Sequence, residues 1–221
     1  MEEDSGNPPQ LYLISHDGTV RKKIYLKGLV NRDWEEMALF NNDIYIAETG
    51  DNAGVYTGYR FYRFPEPALS ADTVYTIDTI RFTYPDGPHD CEAFVVDPAT
   101  RNIYLITKRE SLSRIYRLSY PYGAANTVSF IGTLPYTGVV GASLSENGKE
   151  LILKTYSSLY YYSIGAGESL ETALQKKYSA LSYQVEPQGE AISFASDGSG
   201  FYTISEKAFA PLVNMYFYKR K

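Results

Sequence analysis

Short apolar runs alternate with polar turns along almost the whole chain, a pattern that predicts β-strands. Three segments share one order of parts: a glutamate, an apolar run, a polar turn and a second apolar run. These segments start at Glu35, Glu92 and Glu190 and contain EMALFNNDIYIA, AFVVDPATRNIYLIT and AISFASDGSGFYTIS. A fourth segment, VVGASLSENGKELILKTY, follows the same order, and we align its Gly141 with the three glutamates. The four aligned positions are 57, 49 and 49 residues apart.

A period of about 50 residues with several short strands per unit is typical of a β-propeller, whose blades are four-stranded antiparallel sheets. Near the N-terminus, LYLIS and VRKKIYL are predicted to form the two outer strands of a further blade. SYQVE (182–186) is interpreted as an outer strand and GESLETALQKKY (167–178) as a short surface helix between outer strands. We therefore predict an all-β protein with about five blades in a single domain over residues 1–221.

The first predicted blade is incomplete. The pattern contains 17 strands, whereas five blades of four strands require 20. Two inner strands of the first blade and one outer strand of the last blade are missing from the pattern. We therefore expect an N-terminal truncation, since a preceding stretch of roughly 30–40 residues would supply three strands with their turns. The alternative is a four-bladed or open arrangement with the N-terminal hairpin on the last blade.

Polar and charged residues are concentrated at one end of the predicted inner hairpins. In a propeller blade the first strand starts, and the second strand ends, at the same face of the disc and close to the central channel. Residues from different repeats are therefore expected to meet in one polar ring at the channel mouth. The predicted members at the strand starts are Asp33, Glu35, Asp90, Glu92, Gln188 and Glu190. Those at the strand ends are Asp51, Asn52, Lys108, Arg109, Lys154, Thr155 and Glu206.

The acids of this ring predict a metal site. Ca²⁺ takes six to eight oxygen ligands, and converging carboxylates repel one another unless a cation, a proton or a basic side chain offsets their charge. The candidate ligands of a calcium-like ion are Glu35, Glu92, Glu190, Asp51, Asn52 and Glu206. The alternative is that such acids cap turns or bind backbone amides.

The remaining ring residues predict binding of a small polar or anionic ligand, since arginine and lysine bind carboxylate or phosphate groups. The candidates for this role are Asp33, Asp90, Lys108, Arg109, Lys154, Thr155 and Gln188. His89 adjoins Asp90, and His89 and Glu92 are the candidates for a catalytic acid or base. The alternative for His89 is a solvated turn residue.

Composition and charge narrow the function classes. The 22 tyrosines among 221 residues favour strands over helices. A net charge of −5 argues against general nucleic-acid binding, which requires a basic surface. The single cysteine, Cys91, excludes an internal disulfide and cysteine-rich zinc sites. No run approaches the 18 or so apolar residues that predict a membrane span, and MEEDSGNPPQ has no signal-peptide core.

Several motifs resemble, in their order, a family of uncharacterised bacterial β-propeller proteins, many of which are exported. The motifs are DSGN (4–7), DWEE (33–36), GDN (50–52), YPDGPHDCEA (84–93), TKR (107–109) and QGEA (188–191). The resemblance implies a periplasmic, cell-surface or secreted protein, and a cytoplasmic location is the alternative. In that family a further strand segment precedes DSGN, in agreement with the expected truncation.

The repeated acid and apolar run is also similar, more distantly, to calcium-dependent β-propeller phytases, in which acids around the channel bind Ca²⁺ and phosphate. This likeness implies metal-binding roles for Glu35, Glu92, Glu190 and Glu206.

The sequence leads to three hypotheses about function. The first is a binding module with a metal ion or small polar ligand at the acidic mouth. The second is a metal-dependent hydrolase of phosphoesters or lactones, and the third is a scaffold that binds protein partners through a tyrosine-rich outer surface.

Overall fold

The computed structural model describes residues 6–206 and 213–220. Its strands form five small sheets arranged as a five-bladed β-propeller, so the predicted fold is confirmed. The described part of the chain contains one helix, of five residues. This helix is far too short and polar to cross a membrane.

The blades follow one another in chain order. Blade 1 contains β1 (Gln10–Ile14), β2 (Val20–Leu26) and the short β6 (Thr73–Val74). Blade 2 contains β3 (Trp34–Phe40), β4 (Asp43–Glu48), β5 (Tyr59–Pro65), β7 (Asp78–Thr83) and the two-residue β11 (Asn126–Thr127). Blade 3 contains β8 (Cys91–Val96), β9 (Ile103–Thr107), β10 (Arg114–Leu118) and β12 (Ser129–Thr133).

Blade 4 contains β13 (Val139–Leu144), β14 (Glu150–Thr155), β15 (Leu159–Ser163) and β16 (Ser179–Leu181). The helix α1 (Leu170–Leu174) lies between β15 and β16, where the sequence predicts a helix. Blade 5 contains β17 (Gly189–Phe194), β18 (Gly200–Ser205) and β19 (Met215–Lys219). Among the described strands, the long neighbours pair antiparallel and the short β6 and β11 pair in parallel.

Apolar side chains fill the spaces between blades. One core cluster joins blades 2 and 3, a second joins blades 3 and 4, and smaller clusters join blade 1 to blade 2 and blade 4 to blade 5. Every residue of β8 and β9 is buried, because blade 3 is covered on both faces. The rings of His16 and Tyr202 lie 5.6 Å apart, so blade 1 also contacts blade 5.

The tight turns of the inner hairpins follow from their sequences. Asn41 and Asn42 have φ values of 50° and 63° between β3 and β4. Two successive positive φ angles are the mark of a type I′ hairpin turn, and asparagine tolerates them better than most residues. A hairpin closed in this way returns its second strand to the face of the disc at which its first strand began. The predicted ring residues of the hairpin therefore lie on one side of the disc.

The predicted strand at 182–186 is wrong, since β16 ends at Leu181 and residues 182–186 form no strand. The chain leaves the sheet there because Glu186 turns inward and accepts a hydrogen bond from the buried Lys154. The tyrosines of the YYY run in β15 also face inward in part. Tyr160 stacks on Tyr136 with ring centroids 3.7 Å apart.

Candidate functional site

Each of the four inner strands has a β-bulge at the same place, immediately after its first residue. A bulge sets two residues of one strand opposite one residue of its partner, so the strand bends and the extra side chain points in a new direction. The extra residues are Glu35, Glu92, Val140 and Glu190. The bulges therefore direct three glutamates toward the channel mouth.

The alignment of Gly141 with the glutamates is wrong by one residue. Gly141 pairs with Lys154, and Val140 occupies the bulge. Val140 is buried. Gly141 instead allows close packing of two blades, because a Cβ atom there would lie 2.2 Å from the carbonyl oxygen of Glu190. The sequence alone does not reveal this shift, since a bulge adds a residue without changing the apolar pattern.

Three carboxylates meet between blades 2 and 3. One oxygen of each of Glu35, Asp90 and Glu92 lies within 4.8 Å of the others, a group that could hold a metal ion. Asp33 is buried beside them, and Gly50 makes room for this packing. A Cβ at Gly50 would lie 2.0 Å from Glu35 Oε1 and 2.5 Å from Asp33 Cγ. The glycine of the ETGD segment is thus needed for the acids to come together.

Asp90 is fixed by donors on two sides. Its Oδ1 accepts a hydrogen bond from the backbone N–H of Asp51 (2.8 Å), and its Oδ2 accepts one from Nε of Arg109. Arg109 also donates to Asn52 Oδ1. Asn52 and Arg109 therefore hold Asp90 from the rim, where both are exposed.

The Asp51 side chain organises its own loop. Its carboxylate accepts hydrogen bonds from the N–H groups of Val55 (2.8 Å) and Tyr56 (2.9 Å) and from the hydroxyl of Tyr59 (2.8 Å). These donors lower the pKa of Asp51 although burial opposes the shift. The structure therefore places Asp51 next to the acid group but directs its carboxylate away from it.

Lys108 links the acid group to blade 5. Its Nζ donates to Glu92 Oε1 and to the hydroxyl of Tyr156 (3.0 Å), and it lies 3.9 Å from Glu190 Oε1. Tyr156 in turn donates to Glu190 Oε1 (2.6 Å). The predicted glutamate of blade 5 thus joins the mouth through a lysine and a tyrosine.

Glu92 is buried as deeply as Asp90, and each has 4% of its surface exposed. Burial raises the pKa of Glu92 to about 8, with Asp90 and Glu190 adding to the shift and the Lys108 ammonium group opposing it. Its Oε2 atom is buried and has no hydrogen-bond partner in the described part of the chain. A buried carboxylate oxygen without a donor is costly and calls for a proton or a cation.

Lys154 forms a separate buried pair. It is fully buried, and its Nζ lies 3.2 Å from Glu186 Oε2 and 4.4 Å from the centroid of the Tyr183 ring. Burial lowers the pKa of Lys154, and the Glu186 carboxylate offsets part of this shift. Both side chains lie beneath the start of β17, because a Cβ at Gly189 would contact Glu186 Cβ at 2.8 Å.

Three further predicted residues lie at turns of the rim. Thr155 closes a turn, since its hydroxyl accepts a hydrogen bond from the Ser158 N–H at 3.1 Å. Gln188 has a positive φ of 49°, and its carbonyl accepts a hydrogen bond from the N–H of Glu206 (3.0 Å). The side chains of Gln188 and Glu206 are exposed at this edge of blade 5.

His89 is buried in a charged network beside the mouth. Its Nδ1 lies 2.5 Å from Glu110 Oε1, and its Nε2 lies 3.1 Å from Asp86 Oδ1. Nε2 also lies 2.8 Å from the hydroxyl of Tyr116, and Arg114 binds Asp86 from outside. Burial lowers the pKa of His89, but the hydrogen bonds to Glu110 and Asp86 outweigh it and raise the pKa overall. Both ring nitrogens thus lie next to a carboxylate oxygen, an arrangement that favours the protonated, positively charged form of the ring.

Replacement of His89 with glutamine is expected to change the pH dependence of stability. The pKa of His89 is higher in the folded protein than in the unfolded chain. Its stabilisation is therefore complete below a pH of about 6.5 and is lost as the pH rises through the folded pKa. Urea unfolding between pH 6 and pH 9 should show the variant less stable at pH 6, with a difference from the wild type that shrinks toward pH 9. A difference that stays constant over this range would contradict the charged state of His89.

Several residues of the site escaped the sequence analysis. Glu36, next to the bulge of blade 2, accepts a hydrogen bond from the N–H of Ala142 (3.1 Å) and so joins blade 2 to blade 4 across the axis. Tyr156 stands 48 residues after Lys108, close to the repeat spacing of 49 residues, and this spacing could have indicated that Tyr156 also lies at the channel mouth. Glu186 and Glu110 carry no comparable signal, because their partners come from other parts of the chain.

The fold and this mouth define a class of protein, a five-bladed β-propeller with an acidic channel mouth. Comparisons with protein-family models and with curated proteins found no match. Among solved structures, the chain is similar to an auxiliary nutrient binding protein from Bacteroides thetaiotaomicron, with a TM-score of 0.56 and 11% identity. The match covers 99% of this chain and 54% of that one.

A protein from Lactobacillus plantarum is also similar, with a TM-score of 0.48, 14% identity and coverage of 96% of this chain and 60% of that one. The chain spans a little over half the length of the first solved structures that it matches. At such identities the likeness to the Bacteroides protein concerns the fold alone.

Proposed function

We propose that the protein is a binding module that holds a hard divalent cation of the calcium type at its channel mouth. The observation that carries this proposal is the meeting of Glu35, Asp90 and Glu92, together with the buried Glu92 oxygen that has no donor in the described part of the chain. Oxygen atoms of carboxylates are the ligands that Ca²⁺ prefers.

The charge balance at the mouth supports a divalent ion. The four carboxylates Glu35, Asp90, Glu92 and Glu190 lie close to the two cationic side chains Lys108 and Arg109. When all four carboxylates are ionised, above the Glu92 pKa of about 8, two negative charges exceed the positive ones in this group. A divalent cation offsets this excess, and it satisfies Glu92 Oε2 without removing Arg109 from Asp90.

The same ion gives the module a way to bind a ligand. Ca²⁺ takes six to eight oxygens, more than three carboxylates supply if each contributes one. The remaining positions are then filled by water or by oxygens of a small polar or anionic ligand, with Lys108 and Arg109 at the rim as additional contacts. We place this module in the periplasm or at the cell surface, where modules with calcium affinities of about 0.1–1 mM operate.

A binding function is favoured over a hydrolytic one because the hydrogen bonds of His89 do not suit a general base. A general base needs a ring nitrogen that can accept a proton, and both nitrogens of His89 are engaged by carboxylates. The Bacteroides structure is described as a nutrient binding protein, but its likeness to this chain is one of fold and adds nothing about the ligand.

Calcium is expected to raise the melting temperature of the wild-type protein, and Glu92→Gln is expected to abolish the effect. An ion that binds only the folded state stabilises it by about 2.7 kcal/mol at a concentration of 100 Kd. For a chain of this length this corresponds to roughly 5–10 °C. The measurement is thermal unfolding at 0–10 mM CaCl₂, with MgCl₂ at the same ionic strength for comparison.

The matched control is Glu171→Gln, which removes a half-exposed carboxylate on α1 that pairs with Arg117. This variant should respond to calcium as the wild type does. The proton on Glu92 competes with the ion, so the apparent affinity should rise about tenfold per pH unit below the Glu92 pKa of about 8. No shift at 10 mM calcium at pH 8.5, or an equal shift in Glu92→Gln, would rule out the proposed site.

A further inference from the structure

A cleft of about 440 Å³ lies at the ends of β5 and β7 in blade 2. Three arginines line it, Arg32, Arg60 and Arg81, with Tyr56 and Asn126 among the other lining residues. None of the carboxylates of the mouth belongs to its lining. The cleft is thus a second polar site, lined by basic side chains where the channel mouth is lined by acidic ones.

Two of the arginines form a like-charge pair within the sheet. Arg60 of β5 and Arg81 of β7 are directly opposite each other in the antiparallel register. Residues in such positions have Cβ atoms about 4.5–5.5 Å apart, and like charges there are destabilising. Three residues further along β5, Arg63 is opposite Asp78, and their side chains form an ion pair at 2.7 Å. The same two strands thus contain one arginine opposite a carboxylate and one pair of arginines opposite each other.

Glu48 holds the first of these arginines in place. Its carboxylate is buried, accepts hydrogen bonds from Trp34 Nε1 (3.3 Å) and Tyr62 OH (3.1 Å), and lies 2.9 Å from Nε of Arg60. The terminal nitrogens of Arg60 and the whole guanidinium group of Arg81 have no hydrogen-bond partner in the described ranges 6–206 and 213–220. Five N–H groups of an arginine in a fixed fork are suited to oxyanions.

Arg32 forms a preorganised third side of the cleft. Its guanidinium carbon lies 3.9 Å from the centroid of the Tyr56 ring, and it donates to the carbonyl oxygens of Gly58 (3.1 Å) and Glu48 (3.3 Å). Its Nε also lies 3.9 Å from Glu48 Oε1, so Arg32 shares this carboxylate with Arg60. Three arginines therefore face the Glu48 carboxylate, and the Asp51 carboxylate, bound to the Tyr56 N–H and the Tyr59 hydroxyl, lies near Arg32. One net positive charge remains at the cleft.

We propose that this cleft binds a dianionic tetrahedral oxyanion, the phosphate or sulfate group of a small ligand. Two neighbouring guanidinium forks present donors in two directions, and a tetrahedral group has enough oxygens for both, whereas a single carboxylate has two oxygens and one charge. Bound in this way, the anion offsets the repulsion between Arg60 and Arg81.

The test is calorimetric titration of the full chain with inorganic phosphate and with sulfate at pH 8 and constant ionic strength, and with acetate and succinate for comparison. Phosphate and sulfate should bind, and Arg81→Gln should weaken both by about tenfold to a hundredfold, the range expected for a lost charge-assisted hydrogen bond. Arg81 is exposed, so this variant should fold, and its melting temperature without anion should not fall.

Arg63→Gln is the matched control, since it removes an arginine of β5 that already has a carboxylate partner. It should leave phosphate binding unchanged, as should Glu92→Gln, which separates this site from the metal site. Absence of phosphate binding at 10 mM, binding of succinate but not phosphate, or equal losses in Arg81→Gln and Arg63→Gln would overturn the proposal.

Discussion

Replacement of Lys154 with methionine is expected to destabilise the protein by about 3–5 kcal/mol. Lys154 is fully buried and pairs with Glu186, of which 4% is exposed. Methionine has a similar volume but no charge, so the Glu186 carboxylate would remain buried without its cation. The Oε1 atom of Glu186 already has no hydrogen-bond partner in the described residues, and the substitution would leave Oε2 in the same state.

Urea unfolding at pH 7 measures this loss, and the double variant Lys154→Met with Glu186→Gln should recover most of it because the unpaired charge is removed. Lys176→Met is the control, since Lys176 is half exposed and pairs with Glu168 at the surface. A loss below about 1 kcal/mol, the size expected of a surface pair, would show that the pair is not buried.

Gly141→Ala is expected to cost about 3 kcal/mol or more, at the upper end of the range for overpacking. The new methyl group would lie 2.2 Å from the carbonyl oxygen of Glu190, an atom of the backbone that cannot move alone. Blades 4 and 5 would have to separate at the axis. Chemical denaturation of the variant measures the effect.

Gly123→Ala is the matched control, because the nearest atoms to its Cβ lie 3.6 Å away at ordinary contact distance. This variant should stay within about 0.5 kcal/mol of the wild type. If Gly141→Ala were equally mild, the close approach of the two inner strands would be refuted. If Gly141→Ala, but not Gly123→Ala, also altered calcium binding, displacement of Glu190 would explain the change, because Glu190 lies against Gly141.

The inner hairpins were predictable from the sequence because their apolar runs repeat at a regular spacing. This repeat also indicated that Glu35, Glu92 and Glu190 lie at one end of the blades. The register inside each strand was not predictable, since the bulge that separates Val140 from Gly141 leaves the hydrophobic pattern unchanged. The outer strand at 182–186 failed for a different reason, because burial of Glu186 against Lys154 outweighed the strand preference of SYQVE.

Partners between blades were the least predictable part of the site. His89 appeared to be a turn residue or a catalytic base, and its actual surroundings depend on Glu110 and Asp86. The arginine cleft was also missed, because Arg60 and Arg81 become neighbours only through the pairing of β5 with β7. Such contacts depend on strand register, which a single sequence specifies only weakly.

The hydrogen bond from the Ala142 amide to Glu36 has a mechanical consequence. This hydrogen bond joins blade 2 to blade 4, which are not neighbours, and so opposes their separation at the central axis. Glu36 follows Glu35 directly in the chain, so movement of one glutamate is transmitted to the other through a single peptide unit. An ion held at the proposed site would thus bind Glu35 on the same strand end that Glu36 ties to blade 4.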